Sequence, residues 1–123
     1  MRIIPDDQDW KIVFYVEEDG GSPVKDFLNS LDRPTQVRLL VSIERLRIEN
    51  VTAREPLVKR LEGKIWELRR ESNTNIFRVL YFIVTGRNII LLHGLQKKTQ
   101  KTPRREIETA LKRMQRYADN SGG

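Results

Sequence analysis

The sequence predicts an α+β fold: an antiparallel β-sheet with an N-terminal helical hairpin and a C-terminal helix. Three observations carry that expectation. Leu57 to Pro103 holds apolar, β-branched and aromatic runs separated by short polar turns, the pattern of adjacent β-hairpins. Before it, Pro23 to Glu49 shows apolar residues at helical spacing, with a break near Pro34. After it, Ile107, Ala110, Leu111, Met114 and Ala118 form one apolar stripe behind Pro103.

The chain begins its order with WKIVFYV, Trp10 to Val16, read as the first strand, with Trp10, Ile12, Phe14 and Val16 on one face. Asp19-Gly20-Gly21 is a turn, and Ser22-Pro23 reads as an N-cap followed by proline at the first helical position. A first helix over about Pro23 to Leu31 presents Val24, Phe27, Leu28 and Leu31. A second, from near Pro34 to about Glu49, carries two apolar stripes: Leu39, Ile43 and Leu46 on one side, Val37, Val41 and Ile48 on the other. The expectation is that one stripe packs on the sheet and the other on the first helix; the alternative is that one side receives a partner protein. Strands follow at Val58–Leu61, Ile65–Glu71, Ile76–Val84 and Asn88–Leu95. IFRVLYFIV is apolar on both faces apart from Arg78 and therefore reads as a central strand. A basic loop, QKKTQKT, leads to a helix from Pro103 to about Ala118.

The 123 residues fit one domain, 1–123, with 118–123 as a frayed, disordered tail. A hydrophobic share of 38% and a charged share of 33% describe a globular chain. No apolar run reaches membrane-spanning length, so no membrane partner is expected. The acids of MRIIPDDQDW stand where a signal peptide needs an apolar core, and there is no cysteine, which points to the cytoplasm. With a single histidine and no cysteine, neither a metal site nor a cofactor is expected. The net charge of +6 is concentrated: Gln96 to Arg116 holds eight basic residues against two acids, a distribution suited to a polyanion.

Several cations stand where a purely structural sheet would not place them. Arg78 interrupts a central strand on the side of Leu80 and Phe82. Arg69 lies on the side of Glu67. Lys97 and Lys98 leave the last strand. If these strands are neighbours, the cations converge at one end of the sheet. For Arg78 two readings stand open, an ion pair with Glu67 or Glu71 and a contact with substrate. A cationic patch on an antiparallel sheet suits RNA phosphate. RNA carries its own nucleophile, the 2′-hydroxyl, so a protein need only move protons and stabilise charge on phosphorus. His93 is the single histidine and lies within a buried-looking strand, either packed or transferring protons. A lysine among like charges can act as a base, and an arginine holds its charge for the transition state. Tyr81 is either core or a surface for base stacking.

These residues resemble the RelE/ParE superfamily of toxin–antitoxin toxins, closest to its HigB-like, phage-derived branch. The resemblance rests on Lys59 to Arg69, on Phe77 to Tyr81, and on His93 to Pro103 followed by Glu106, Ile107, Ala110 and Arg113. It covers Leu57 to Met114, and the N-terminal elements agree in layout. It implies a small RelE-like α+β domain and ribosome-dependent, metal-free cleavage of mRNA. Implied catalytic residues are Arg69, Arg78, Lys97, Lys98 and His93. Lys59, Arg60, Lys101, Arg104, Arg105, Lys112 and Arg116 are expected to bind RNA or the ribosome. The implied protein partner is a cognate antitoxin of helix-turn-helix type. The same fold also admits a ParE-like inhibitor of DNA gyrase or a non-enzymatic nucleic-acid-binding module.

Overall fold

The architecture was taken from a computed structural model, which describes residues 9–72 and 74–121. The acidic N-terminal segment up to residue 8 and the last two residues of the expected tail lie outside the described residues.

Five strands form one sheet: β1 (Lys11–Phe14), β2 (Val58–Glu62), β3 (Ile65–Ser72), β4 (Asn75–Val84) and β5 (Asn88–Lys97), in the order β1-β5-β4-β3-β2. The three hairpin-linked pairs are antiparallel. β1 pairs parallel to β5, so the sheet is antiparallel except at that edge. The β4–β5 loop is three residues, Thr85 to Arg87, and its Gly86 and Arg87 both take positive φ, 86° and 64°.

Alternation along the strands sends two sets of apolar side chains to opposite faces. Leu68, Phe77, Val79, Tyr81, Ile89 and Leu91 meet the helical hairpin, α1 (Pro23–Asn29) and α2 (Arg33–Glu49). Ile65, Leu80, Phe82, Ile90, Leu92 and Leu95 meet α3 (Arg104–Ser121). With both faces covered, β4 is buried from Ile76 to Phe82, as its unbroken apolar run requires.

Several boundaries differ from expectation. β1 ends at Phe14, and Val16 is exposed instead of sharing the inward face. Pro23 opens α1, but the Ser22 side chain makes no cap bond. Asp32 is the working cap, accepting from the Thr35 N–H at the start of α2. β5 extends two residues past Leu95 because Gln96 and Lys97 still pair with Phe77 and Ile76. α3 continues helical to Ser121 instead of ending near Ala118; Ala118 is exposed, and Tyr117 takes its place, edge-on to Phe82.

In α2 the stripe of Leu39, Ile43 and Leu46 is buried on the sheet. The opposite stripe does not pack on α1: Val37, Val41 and Ile48 are exposed, with Leu40 and Val51 beside them. The reason is that α1 is only seven residues long and turns its apolar side to the sheet. Phe27 lies so close to Gly94 of β5 that a Cβ there would stand 2.4 Å from its ring.

Candidate active site

The strand order brings the singled-out cations together. Arg69 of β3 is opposite Arg78 of β4, Arg78 is opposite Leu95 of β5, and Lys97 is opposite Ile76. Directly paired residues share a face, so Arg69, Arg78 and Lys97 all lie on the α3 side. Glu67 joins them two residues before Arg69.

The chain beyond β5 does not leave this surface. It crosses back over β4 and β3, fastened at each strand. Arg78 Nη2 donates to the carbonyls of Thr99 and Gln100, the latter at 2.8 Å. Arg69 Nη2 donates to the Gln100 carbonyl at 3.1 Å. The Thr102 hydroxyl donates to the Glu67 carboxylate. Glu67 is the acid beneath the loop, with Arg78 Nε 3.2 Å from Oε1 and Arg69 Nε 3.2 Å from Oε2. Arg78 and Glu67 have essentially no exposed surface. Burial pulls the Arg78 pKa below its ordinary value and the Glu67 charge opposes that, but a guanidinium stays protonated. Of the two open readings, the geometry selects the ion pair with Glu67: the charged end of Arg78 points at an internal acid and at the underside of the loop.

This arrangement leaves a different set of cations to solvent. Lys98 and Lys101 are exposed on the loop, and the Lys97 side chain is 36% exposed. Arg69 keeps a thin edge of exposure at 16%. Arg104 and Arg105 open α3. Both are exposed, and Arg104 is engaged with Glu62 on β2 and with Glu108. Lys59 and Arg60 lie on β2, the edge strand farthest from β5, and are not brought to this cluster. Lys112 and Arg116 lie farther along α3, and Arg116 is 3.7 Å from Glu17.

His93 lies next to Lys97 through a third residue. A bulge in β5 pairs His93 with Leu80 and Leu91 with Tyr81, which leaves Leu92 as the extra residue. Leu92 and His93 therefore both serve the α3 side, while Gly94 returns to the α1 side. His93 Nε2 is 2.5 Å from Glu106 Oε1, and Lys97 Nζ is 3.8 Å from Glu106 Oε2. Arg113 Nη1 reaches His93 Nδ1 at 3.0 Å and the Leu92 carbonyl at 2.9 Å. Burial lowers the His93 pKa, and the Glu106 hydrogen bond only partly opposes it. Burial alone would raise Glu106, but His93, Lys97 and Arg105 bring it below the usual carboxylate value. Tyr81 faces the helical hairpin; burial pushes its phenol far up, and it is core.

Sequence reasoning named Glu67 as one of two possible partners of Arg78 but gave it no role in holding the loop, and it gave Glu106 no role at all. The available signal was that Glu67 alternates onto the same strand face as Ile65 and Arg69. Among the described residues no helix is long and apolar enough to cross a membrane.

A mostly antiparallel sheet with a helical hairpin on one face, a C-terminal helix on the other and a basic loop strapped over the strand ends defines a toxin-like domain of RelE type. The chain belongs to the phage-derived protein Gp49-like (DUF891) family, whose model matches residues 26–115. It is 35% identical over 104 residues to proteins named probable endoribonuclease HigB1 in Mycobacterium tuberculosis, strains CDC 1551 / Oshkosh and ATCC 25618 / H37Rv. That stretch is 85% of this chain and 80% of each relative. The HigB-like resemblance seen in the strands thus extends over most of the chain.

Proposed function

We propose that this chain is the toxin of a toxin–antitoxin pair and an endoribonuclease that cuts mRNA on the ribosome without metal. The observation that carries the reading is the fastened basic segment: Lys98 and Lys101 are exposed and Lys97 is partly exposed on a stretch tied down through Arg78, Arg69, Glu67 and Thr102. The name of the HigB1 relatives supports the reaction class.

In the proposed reaction the 2′-oxygen attacks phosphorus, the bond from phosphorus to the 5′-oxygen breaks, and a 2′,3′-cyclic phosphate and a 5′-hydroxyl remain. One proton leaves the 2′-hydroxyl and one is delivered to the departing oxygen. Lys97 and its neighbour Lys98 are assigned these transfers. Arg69 and the lysines stabilise the charge that builds on the phosphoryl oxygens. Arg78 is a positioning residue, because it holds the loop and does not reach the substrate. Lys101, Arg105, Lys112 and Arg116, with Lys59 and Arg60 on the far edge, are assigned to ribosomal RNA, and the cognate antitoxin is assigned a helix-turn-helix domain.

The test is induction of the chain in cells with mapping of mRNA 5′ ends, beside Lys97→Ala and Arg78→Ala. Codon-phased cuts that disappear in Lys97→Ala are expected. DNA damage without cuts would instead indicate gyrase poisoning, and no growth effect would leave a binding module.

A further inference from the structure

The single histidine of this chain sits between an arginine and a glutamate, and the contacts fix where its proton is. Arg113 is always a donor, so the Nδ1 it approaches at 3.0 Å must accept and carry no hydrogen. The ring proton is therefore on Nε2, which faces Glu106 Oε1 at 2.5 Å and donates to it. The other carboxylate oxygen, Oε2, faces Lys97 Nζ. Arg113 is itself steadied by the Leu92 carbonyl and by Glu17 Oε2, 3.6 Å away beyond β1. The result is one line of contacts, Glu17–Arg113–His93–Glu106–Lys97, that starts just past β1, the edge strand beside β5, and ends at the start of the basic loop.

We propose that His93 is a positioning residue: in its Nε2–H form it fixes the Glu106 carboxylate, and Glu106 in turn orients Lys97 toward the scissile phosphate. The proposal rests on the endoribonuclease reading. A histidine that takes a proton from substrate needs a free nitrogen lone pair. Here one nitrogen accepts from Arg113 and the other is occupied by Glu106, while the side chain is only 17% exposed. The β5 bulge is what makes the arrangement possible, because regular alternation through a paired Leu92 would carry His93 to the α1 side. Glu106 lies three residues past Pro103, in the first turn of α3, and Arg113 follows seven residues later on the same helical side.

The test compares His93→Gln with His93→Leu in ribosome-bound mRNA cleavage. Glutamine keeps an N–H for Glu106 and an acceptor for Arg113 without a titrating group; leucine keeps neither the donor nor the acceptor. His93→Leu should lower kcat by up to about 10²-fold, the cost of a misplaced catalytic group, with KM little changed. His93→Gln should recover most of that loss and keep the pH–rate profile of the wild type. Glu106→Gln should reproduce the leucine phenotype. If His93 were a general base, both His93 variants would lose about 10²–10⁴-fold alike and the acidic limb of the profile would vanish, which overturns the proposal.

A long-range 15N–1H spectrum of the imidazole gives a readout free of cleavage. The expected result is a neutral ring with its proton on Nε2 at pH 7; an Nδ1–H tautomer or an imidazolium overturns the assignment. A wild-type chain that cuts nothing sinks the endoribonuclease reading and the positioning role with it. An active wild type with His93→Gln as inactive as His93→Leu sinks the positioning role alone.

Discussion

Arg78 and Glu67 meet diagonally across the β3–β4 pair, Nε to Oε1 at 3.2 Å, with no water-accessible surface on the arginine. Removing one member of such a pair leaves the other charge buried and unpaired, which costs about 3–5 kcal/mol. Glu67→Ala is therefore expected to lower unfolding free energy by that order in urea. Because Arg78 and Thr102 hold the loop from below, the same variant should also expose Lys98 and Lys101 to trypsin faster than global unfolding allows. A loss under about 1 kcal/mol with unchanged proteolysis would mean that the pair does not anchor the loop.

Gly94 and Phe27 give a second test, of packing in place of charge. An added Cβ would fall 2.4 Å from the Phe27 ring, so the helix must shift or the ring must turn. Gly94→Ala should cost about 1–3 kcal/mol as an overpacking change. In a Phe27→Leu background the same substitution should cost less, giving a coupling of about 0.5–3 kcal/mol in a double-mutant cycle. Strict additivity in urea titrations would show that α1 does not rest on β5 through this contact.

The sheet was legible because its strands are strongly patterned. IFRVLYFIV has no polar position other than Arg78, so it identifies the centre of the sheet and its own anomaly together. The partner of Arg78 was not legible, because the choice between Glu67 and Glu71 depends on register and on where the following loop returns. The parallel β1–β5 pair lies beyond the hairpin pattern, since no local turn joins the two strands. His93 shows the same limit: strict alternation from Leu92 places it on the wrong face, and only the bulge turns it toward α3. In α2 the two apolar stripes were visible, but which one is buried depends on the length of α1, and the exposed Val37–Val41–Ile48 side follows from the short first helix.

Stability should fall on mild acidification, in two stages. Burial holds the folded His93 pKa below 6.5, so below that pH the unfolded chain binds a proton that the folded protein resists. The His93 contribution is thus fully present above about pH 6.5 and is lost as pH falls toward the folded pKa, by at most about 1.4 kcal/mol per pH unit. Glu106 works in the same direction lower down: its folded pKa lies below 4.5, so its contribution is present above that value and lost beneath it. The charges facing this pair are Lys97, Arg105, Arg113 and, behind Arg113, Glu17. Urea titrations from pH 8 to 5 should therefore slope downward in the wild type and flatten in His93→Gln. An equal slope in both would place the titrating group elsewhere.

The loop geometry also separates cations that meet RNA from cations that only resemble them in sequence. Lys98 and Lys101 are exposed, while Arg104, a few residues on, is engaged by Glu62 and Glu108. Each phosphate contact on single-stranded nucleic acid contributes about 0.7 to the slope of log K against log salt. Replacing both Lys98 and Lys101 by alanine should therefore reduce that slope by about 1.4 in titrations of a short single-stranded RNA from about 50 to 200 mM salt. Arg104→Ala should change it by less than one contact, because the arginine already has carboxylate partners that an RNA phosphate must displace. A slope loss for Arg104→Ala as large as for Lys98→Ala would show that the Glu62 and Glu108 pairs open on binding, and would return Arg104 to the RNA-contacting set.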